Sequence, residues 1–431
     1  MSTVKYRALT EEEVKAATER LVGSCSVIDI HTHLFPPRFN HHDGRFLLWG
    51  IDALLDYHYL QAEVLRSLGG AMSPTAFLSM PRRERAELTW RTLFRERAPL
   101  SESCRGVITT LTQLGIDPET DSLAPIRDWF AQRELDDHVD AVMRLAGVER
   151  ITMTNEVFDP IEHAAWFEDD ALAGDLRFAP VVRVDRLLCD PEGARKHLQE
   201  RGYDDSDELT SARRFVSDWV ARTSAVYVAA SLPSLDVGGV TPGGRADHIL
   251  REGILPALEE HGVPLALMIG VRRGVNPDLA SAGDGSGPSD LRPLEDLCAR
   301  TQGSGVRLLV TMLAREDQHA LCVVARKFAH MVPFGCWWFL NTRTSIEDMT
   351  RLRLELLGNS FIPQHSDARV LEQLIYKWSH TREVLTKVLS DHLCALVRLG
   401  QAITEPLIKR EVDELFRGKA LKTIPYERVA P

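Results

Sequence analysis

The chain has 431 residues, 44% of them hydrophobic and 26% charged, an ordinary balance for a globular enzyme. A net charge of −11 argues against a nucleic-acid partner, which needs a basic stripe, yet leaves room for a few arginines to build a local positive pocket. No apolar run reaches the roughly 18–20 residues that span a bilayer, and seven scattered cysteines read as reduced thiols of a cytoplasmic protein, not as a disulfide frame or a cysteine zinc site.

The charged N-terminus, MSTVKYRALTEEEVKAATER, has no signal-peptide core and predicts a helix to about Arg20. CSVIDI (25–30) is a short β-branched run and predicts a strand. From Leu47 to about Gln132 the pattern is helical: LLWGIDALLDYHYLQAEVLRSL repeats apolar residues every three or four positions, and PRRERAELTWRTLFRE is amphipathic. From Val148 the pattern alternates. Strands are predicted at ERITMTN (149–155), FAPVVRV (178–184), AVYVAASLP (225–233), PLALMIGV (264–271), VRLLVTML (306–313), VPFGCWWF (332–339) and SFIPQHS (360–366), with helical or mixed stretches between them. Continuously apolar strands alternating with helices require a parallel sheet buried on both faces.

The first strand brings the set to eight, and no Gly-rich phosphate loop comes after it, so a closed (β/α)8 TIM-like barrel of the α/β class is favoured over an open doubly wound sheet. Residues 1–46 would hold the N-terminal helix and first strand, 47–135 a helical insertion, and 136–431 the rest of the barrel with C-terminal helices. ASAGDGSGPSD (280–290) reads as a flexible loop after the fifth strand.

Barrel enzymes place their chemistry at the C-terminal ends of the strands. The first strand ends Asp29-Ile30-His31-Thr32-His33. Residues two apart on a strand face the same way, so His31 and His33 can hold one divalent ion. Fifteen histidines make a chance HxH common; its position directly after an apolar strand is what singles it out. The eighth strand, neighbour of the first in a closed barrel, ends His365-Ser366-Asp367-Ala368-Arg369. Asp367 can complete a His/His/Asp site, or simply cap the next helix.

Arg183 and Arg369 suit a carboxylate, although a strand-end arginine more often makes a structural ion pair, here with Asp185. Tyr57-His58-Tyr59 in the insertion offers a proton donor and acceptor, against a plain packing role. Trp337 and Trp338 could floor a sugar site, and Asn155 and Arg272 are candidate polar linings. No Lys or His stands at the ends of the fourth, fifth or sixth strands, so the site reads as mononuclear.

These residues together resemble the uronate isomerase family of the amidohydrolase superfamily, in its shorter bacterial branch. DIHTHLFPP is similar to the family's first-strand motif, and LLWGIDALLDYHYL to the family segment next after that motif. GCWWF and FIPQHSDARVLEQLIYKW are similar to its seventh- and eighth-strand blocks. The likeness runs through nearly the whole chain. It implies one zinc ion held by His31, His33 and Asp367, with His58, Tyr59, Arg183 and Arg369 on the substrate. It implies aldose–ketose exchange on hexuronates, D-glucuronate to D-fructuronate and D-galacturonate to D-tagaturonate. Position 365 and Ala368 depart from the longer branch, which bears on substrate range.

On this reading Asp367 takes a hydroxyl proton, and Tyr59 with His58 moves the carbon-bound hydrogen as a proton. The expected partner is a small sugar acid, with neither nucleic acid nor membrane, and a homo-oligomer is left open. One rival is a mononuclear metal-dependent hydrolase of lactones or amides on the same scaffold. The other is a sugar-acid binder without catalysis.

Overall fold

The computed structural model describes residues 6–41, 44–167, 175–203, 207–233 and 243–429. Short parallel strands make up the barrel wall. They are Val27–Asp29, Val148–Thr152, a third strand split at Pro180 into Phe178–Ala179 and Val181–Arg183, then Tyr227–Leu232, Leu265–Ile269, Leu308–Met312 and Met331–Pro333. Parallel pairing runs in that order from the first strand to the second and third, and from the third through to the seventh. Proline at 180 cannot donate to the ladder. The bridge Asn155↔Val182 carries the second-to-third pairing past it.

The eighth position is an irregular segment and closes the ring. Phe334 bridges Ile362, and Ile362 N–H donates to the Pro333 carbonyl at 3.0 Å. On its other side Asp367 N–H donates to His31 O at 3.0 Å, and His33 N–H to Ala368 O at 2.7 Å. The first and eighth elements are therefore neighbours, as barrel closure demands.

Alternation along each strand sorts side chains between two cores. From Tyr227–Leu232, Tyr227 and Ala229 enter a cluster with Ala266, Met268 and Leu309, which fills the barrel interior. Val228, Ala230 and Leu232 join Leu265, Leu267, Val310 and others against the surrounding helices. Both faces are buried, which is why these strands read as continuous apolar runs. The C-terminal residues Ala420, Ile424 and Tyr426 join the inner cluster. There Tyr426 hydrogen-bonds Thr152 Oγ1 at 2.9 Å, while Arg428 donates to the Ala225 carbonyl just ahead of the fourth strand. They plug the barrel at the N-terminal ends of its strands and leave the opposite mouth for chemistry.

Between the first and second strands lie helices Ile51–Leu55, His58–Ser67, Pro74–Leu78, Arg82–Trp90, Glu102–Gln113 and Ala124–Ala131. They share an apolar core of their own, including Leu60, Phe77, Trp90, Leu111 and Phe130. This unit is bolted to the segment after Asp367. Leu48 bridges Val370, Gly50 N–H donates to Glu372 Oε1 at 3.0 Å, and His138 Nε2 lies 2.8 Å from the same oxygen. Both His138 and Glu372 are buried. The long helix Gln373–Arg398 then packs along Glu11–Ser24, Glu102–Gln113 and Leu135–Ala146.

Residues 280–290 are not the open flexible loop their composition suggests. Val271–Arg272 pairs with Gly285–Ser286 in a small antiparallel hairpin around a 3-10 turn, Pro277–Gly283. Asp284 holds it together by accepting from Gly274 N–H at 2.9 Å and pairing with Arg273 at 2.5 Å. Small polar residues here satisfy a tight turn rather than a free chain. Among the described residues no helix is long and apolar enough to cross a membrane.

Candidate metal centre and active site

His31, His33 and Asp367 meet at the mouth of the barrel, their ligand atoms all within 4.8 Å of one another. His31 and His33 come after the first strand with the same-face spacing expected of them. Asp367 arrives from the eighth segment, held beside the first strand by the hydrogen bonds already described and by Asp29. The buried Asp29 carboxylate accepts from Ser366 N–H at 3.1 Å and from Trp378 Nε1–H at 2.8 Å. Asp367 has φ of +52°, a left-handed conformation that costs an ordinary residue about 1–2 kcal/mol. It does not cap a helix; the next helix begins at Gln373.

The three groups suit a divalent cation. Asp367 Oδ1 lies 3.2 Å from His33 Nε2 and 3.6 Å from His31 Nε2, yet it is buried without a hydrogen-bond partner. Thr154 Oγ1 contacts the other imidazole nitrogen of His31, Nδ1, at 3.3 Å, and so orients the ring. Burial pushes His31 down to about 4. Burial, and then the charge of Arg369, pushes His33 down to about 3. Both imidazoles are thus neutral, as metal ligands must be. Burial penalises the Asp367 charge, but the polar contacts of the adjacent His33 and His31 rings and the charge of Arg369 hold its carboxyl well below the usual range.

The surrounding cavity is lined by His31, His33, His58, Thr154, Arg183, Ser231, Met268, Arg273, Trp337, Trp338, Asp367 and Arg369. It therefore gathers His58, Arg183, Arg369 and both tryptophans with the three ligands. Arg183 is held by Asp185 through two hydrogen bonds, of 3.0 and 2.8 Å. Asp185 also accepts from Ser231 N–H at 2.8 Å, locking the third strand end to the fourth. His58 Nε2 is buried and unpartnered, and burial lowers its pKa to about 3, leaving a neutral base beside the cavity.

Tyr59 is not among the residues that line this cavity. Its ring lies 4.6 Å from that of His58 between centroids and stacks on Phe339, with its hydroxyl buried and unpartnered. The turn of helix His58–Ser67 puts neighbours on different faces, so His58 takes the cavity side. Asn155 is also not a lining residue. It is fully buried, donates to Glu162 at 3.0 Å and accepts from Val181 N–H at 3.0 Å, mending the ladder beside Pro180. Arg272 lies outside this cavity, in its neighbour.

Sequence reading passed over Thr154, Ser231, Met268 and Arg273. The first three sit at strand ends on the inward register, a signal available from alternation alone. Arg273 depends on the hairpin fold and left no such trace. His365 is fully buried with both ring nitrogens unpartnered, edge-on to His31 at 5.3 Å. Lys377, also buried, has its pKa lowered to about 8 by burial, against the nearby charges of Asp367 and Asp29.

A parallel barrel with a His/His/Asp cluster at its mouth, as the described residues show it, defines a metal-dependent barrel enzyme. Comparison with solved structures narrows this. A uronate isomerase from Bacillus halodurans is 42% identical over 96% of this chain and 97% of that one, with a TM-score of 0.90. The chain belongs to the uronate isomerase family. A uronate isomerase from Thermotoga maritima and a glucuronate isomerase from Caulobacter crescentus share the fold, with TM-scores of 0.75 and 0.76 at 16% and 15% identity, over 96% and 97% of this chain and 99% and 94% of theirs. No protein-family model and no curated protein matches the chain.

Proposed function

We propose that this protein is a uronate isomerase, exchanging the aldehyde and ketone forms of hexuronates such as D-glucuronate and D-galacturonate. The observation that carries the reading is the meeting of His31, His33 and Asp367 beside Arg183 and Arg369, in a chain 42% identical to a uronate isomerase over nearly its whole length. A hydrolase on this scaffold is less well supported: its activating groups on the fifth and sixth strands are replaced by Met268 and Thr311.

Two imidazole nitrogens and one carboxylate oxygen are a donor set that suits zinc. When bound, the ion supplies Lewis-acid polarisation of a substrate oxygen and helps hold the site's geometry. The reaction itself moves one hydrogen from C2 to C1 and one proton from O2 to O1. Asp367, ionised and without a hydrogen-bond partner, accepts the hydroxyl proton. His58, neutral at the cavity wall, and the adjacent Tyr59, whose buried hydroxyl has no partner in the protein, take the C2 proton and return it to C1. Arg183, shared with the neighbouring chamber, holds the carboxylate, and Arg369, beside Asp367, stabilises developing enediolate charge, in a low-dielectric pocket where such contacts are strong. Buried Trp337 and Trp338 exclude water and cover the apolar faces of the sugar.

The test is ketose formation from several hexuronates, with and without chelator. Activity abolished by chelation and restored by one equivalent of zinc is expected; turnover only of lactones would reverse the assignment. Run in deuterated water, the product should carry deuterium at C1. Full retention of the substrate hydrogen would replace the proton route with a hydride shift.

A further inference from the structure

The cavity around the metal ligands is small, about 50 Å³, when a single water in the liquid takes about 30 Å³. It admits the reacting end of an open-chain sugar and little more. Beyond it lies a second chamber of about 720 Å³, in the range of about 300–1,000 Å³ that takes whole small-molecule ligands. The two chambers share Arg183, Ser231 and Arg273 as common walls. Arg273 sits at this throat with its guanidinium 5.9 Å from the Trp338 ring and its charge anchored on Asp284. With C1 and C2 at His58 and Asp367, carbons four to six must point through the throat into the outer chamber.

The outer chamber is built for anions. Three guanidiniums, Arg183, Arg272 and Arg273, face it against the single carboxylate of Asp185. Arg183 and Arg273 are each committed to a neighbouring acid. Arg272, on the hairpin strand Val271–Arg272, has no ion-pair partner among the described residues and is exposed. The carboxylate of the reacting unit reaches Arg183 at the throat and leaves Arg272 without an anion, and one hexuronate does not fill this volume.

We propose that the outer chamber is a second sugar-acid subsite, and that the enzyme isomerises the reducing-end residue of a short uronide as well as the free monomer. This rests on the isomerase reading above. A 1,4-linked diuronide carries its second residue on O4 of the reducing unit, on the side that faces the outer chamber. Its reducing end opens to an aldehyde as the monomer does. The same C2-to-C1 hydrogen transfer and O2-to-O1 proton transfer then give a ketose, while the glycosidic bond stays intact. Arg272 takes the second carboxylate.

The experiment compares galacturonate with 1,4-linked digalacturonate on the zinc-loaded enzyme, tracking the product by NMR and checking that no free monomer is released. Digalacturonate is expected to give a disaccharide with a ketose end. In Arg272→Gln its kcat/KM should fall about tenfold more than that of galacturonate, the worth of one charge-assisted contact of about 1.4 kcal/mol. If galacturonate turns over but digalacturonate does not, or only inhibits, the subsite is overturned and the isomerase reading stands. Equal losses for both substrates in Arg272→Gln overturn the role of Arg272 in the subsite. Turnover of neither substrate removes the isomerase reading, and this proposal with it.

Discussion

Gly335, in the loop after the seventh strand, offers a sharp test of how tightly the ligand set is packed. Its φ is +62°, and a Cβ there would stand 1.7 Å from His365 Nδ1 and 2.3 Å from Cε1. Non-bonded atoms settle at about 3.5–4.0 Å, so in Gly335→Ala the imidazole must retreat by roughly 2 Å. It has nowhere to go: His365 is fully buried, tilted on Phe334 at 5.3 Å and edge-on to His31 at 5.3 Å. The left-handed backbone adds about 1–2 kcal/mol and the overpacking about 1–3 kcal/mol. We expect a loss of roughly 2–5 kcal/mol of stability, read from denaturant unfolding of the metal-free protein. A displacement of even 1 Å at His31 should lower kcat on the order of 100-fold and weaken metal binding. Adding His365→Ala to Gly335→Ala relieves the clash, so the double variant should recover part of the stability lost, a non-additive outcome. If Gly335→Ala unfolds within about 0.5 kcal/mol of the parent and binds metal equally well, the packing argument is wrong.

Tyr59→Phe removes a buried hydroxyl that has no partner, so stability should hold or rise by up to about 1 kcal/mol, while kcat drops by about 10²–10⁴-fold. Parallel unfolding curves and steady-state kinetics read both; retained kcat would remove Tyr59 from the reaction. Glu372→Ala strands Gly50 N–H and His138 in the interior and should cost about 2–4 kcal/mol, with kcat falling as the helix bearing His58 loosens from Arg369. Activity loss without any change in unfolding midpoint would contradict that bolt. For pH, His31, His33 and His58 have folded pKa values of about 4, 3 and 3, below the unfolded value near 6.5. The unfolded state therefore binds more protons in that window, and metal-free stability, full above about 6.5, should fall on acidification toward 3. A urea midpoint unchanged between pH 7 and 5 would count against buried neutral imidazoles.

Much of the site was legible because strand chemistry is local. The HxH after an apolar strand and the Asp-Ala-Arg ending the last one needed only period-two alternation and the rule that barrels react at strand ends. The eight apolar runs specified a two-faced sheet, and the structure sorts them into an inner core with Tyr227, Ala229, Ala266 and Leu309 and an outer one with Val228, Leu265 and Val310. Other features were set by contacts distant in sequence. Composition at 280–290 suggested freedom, but Asp284 organises it into a hairpin that delivers Arg273 to the site. Asn155 looked like a lining group and proved to be a mend beside Pro180. Tyr59 and His58 are adjacent in sequence, yet of the two His58 is the one that lines the cavity.

The order of residues alone determined the kind of elements, their alternation around a ring and the candidate metal-binding groups, since these derive from periodicity and from what imidazoles and carboxylates can bind. Only the tertiary structure decided which way each side chain of the insertion faces, how large the space beyond the throat is and which arginines share it. Those depend on how helices 51–131 dock against residues 367–373, and docking is fixed by buried contacts such as Gly50 to Glu372, between residues hundreds of positions apart.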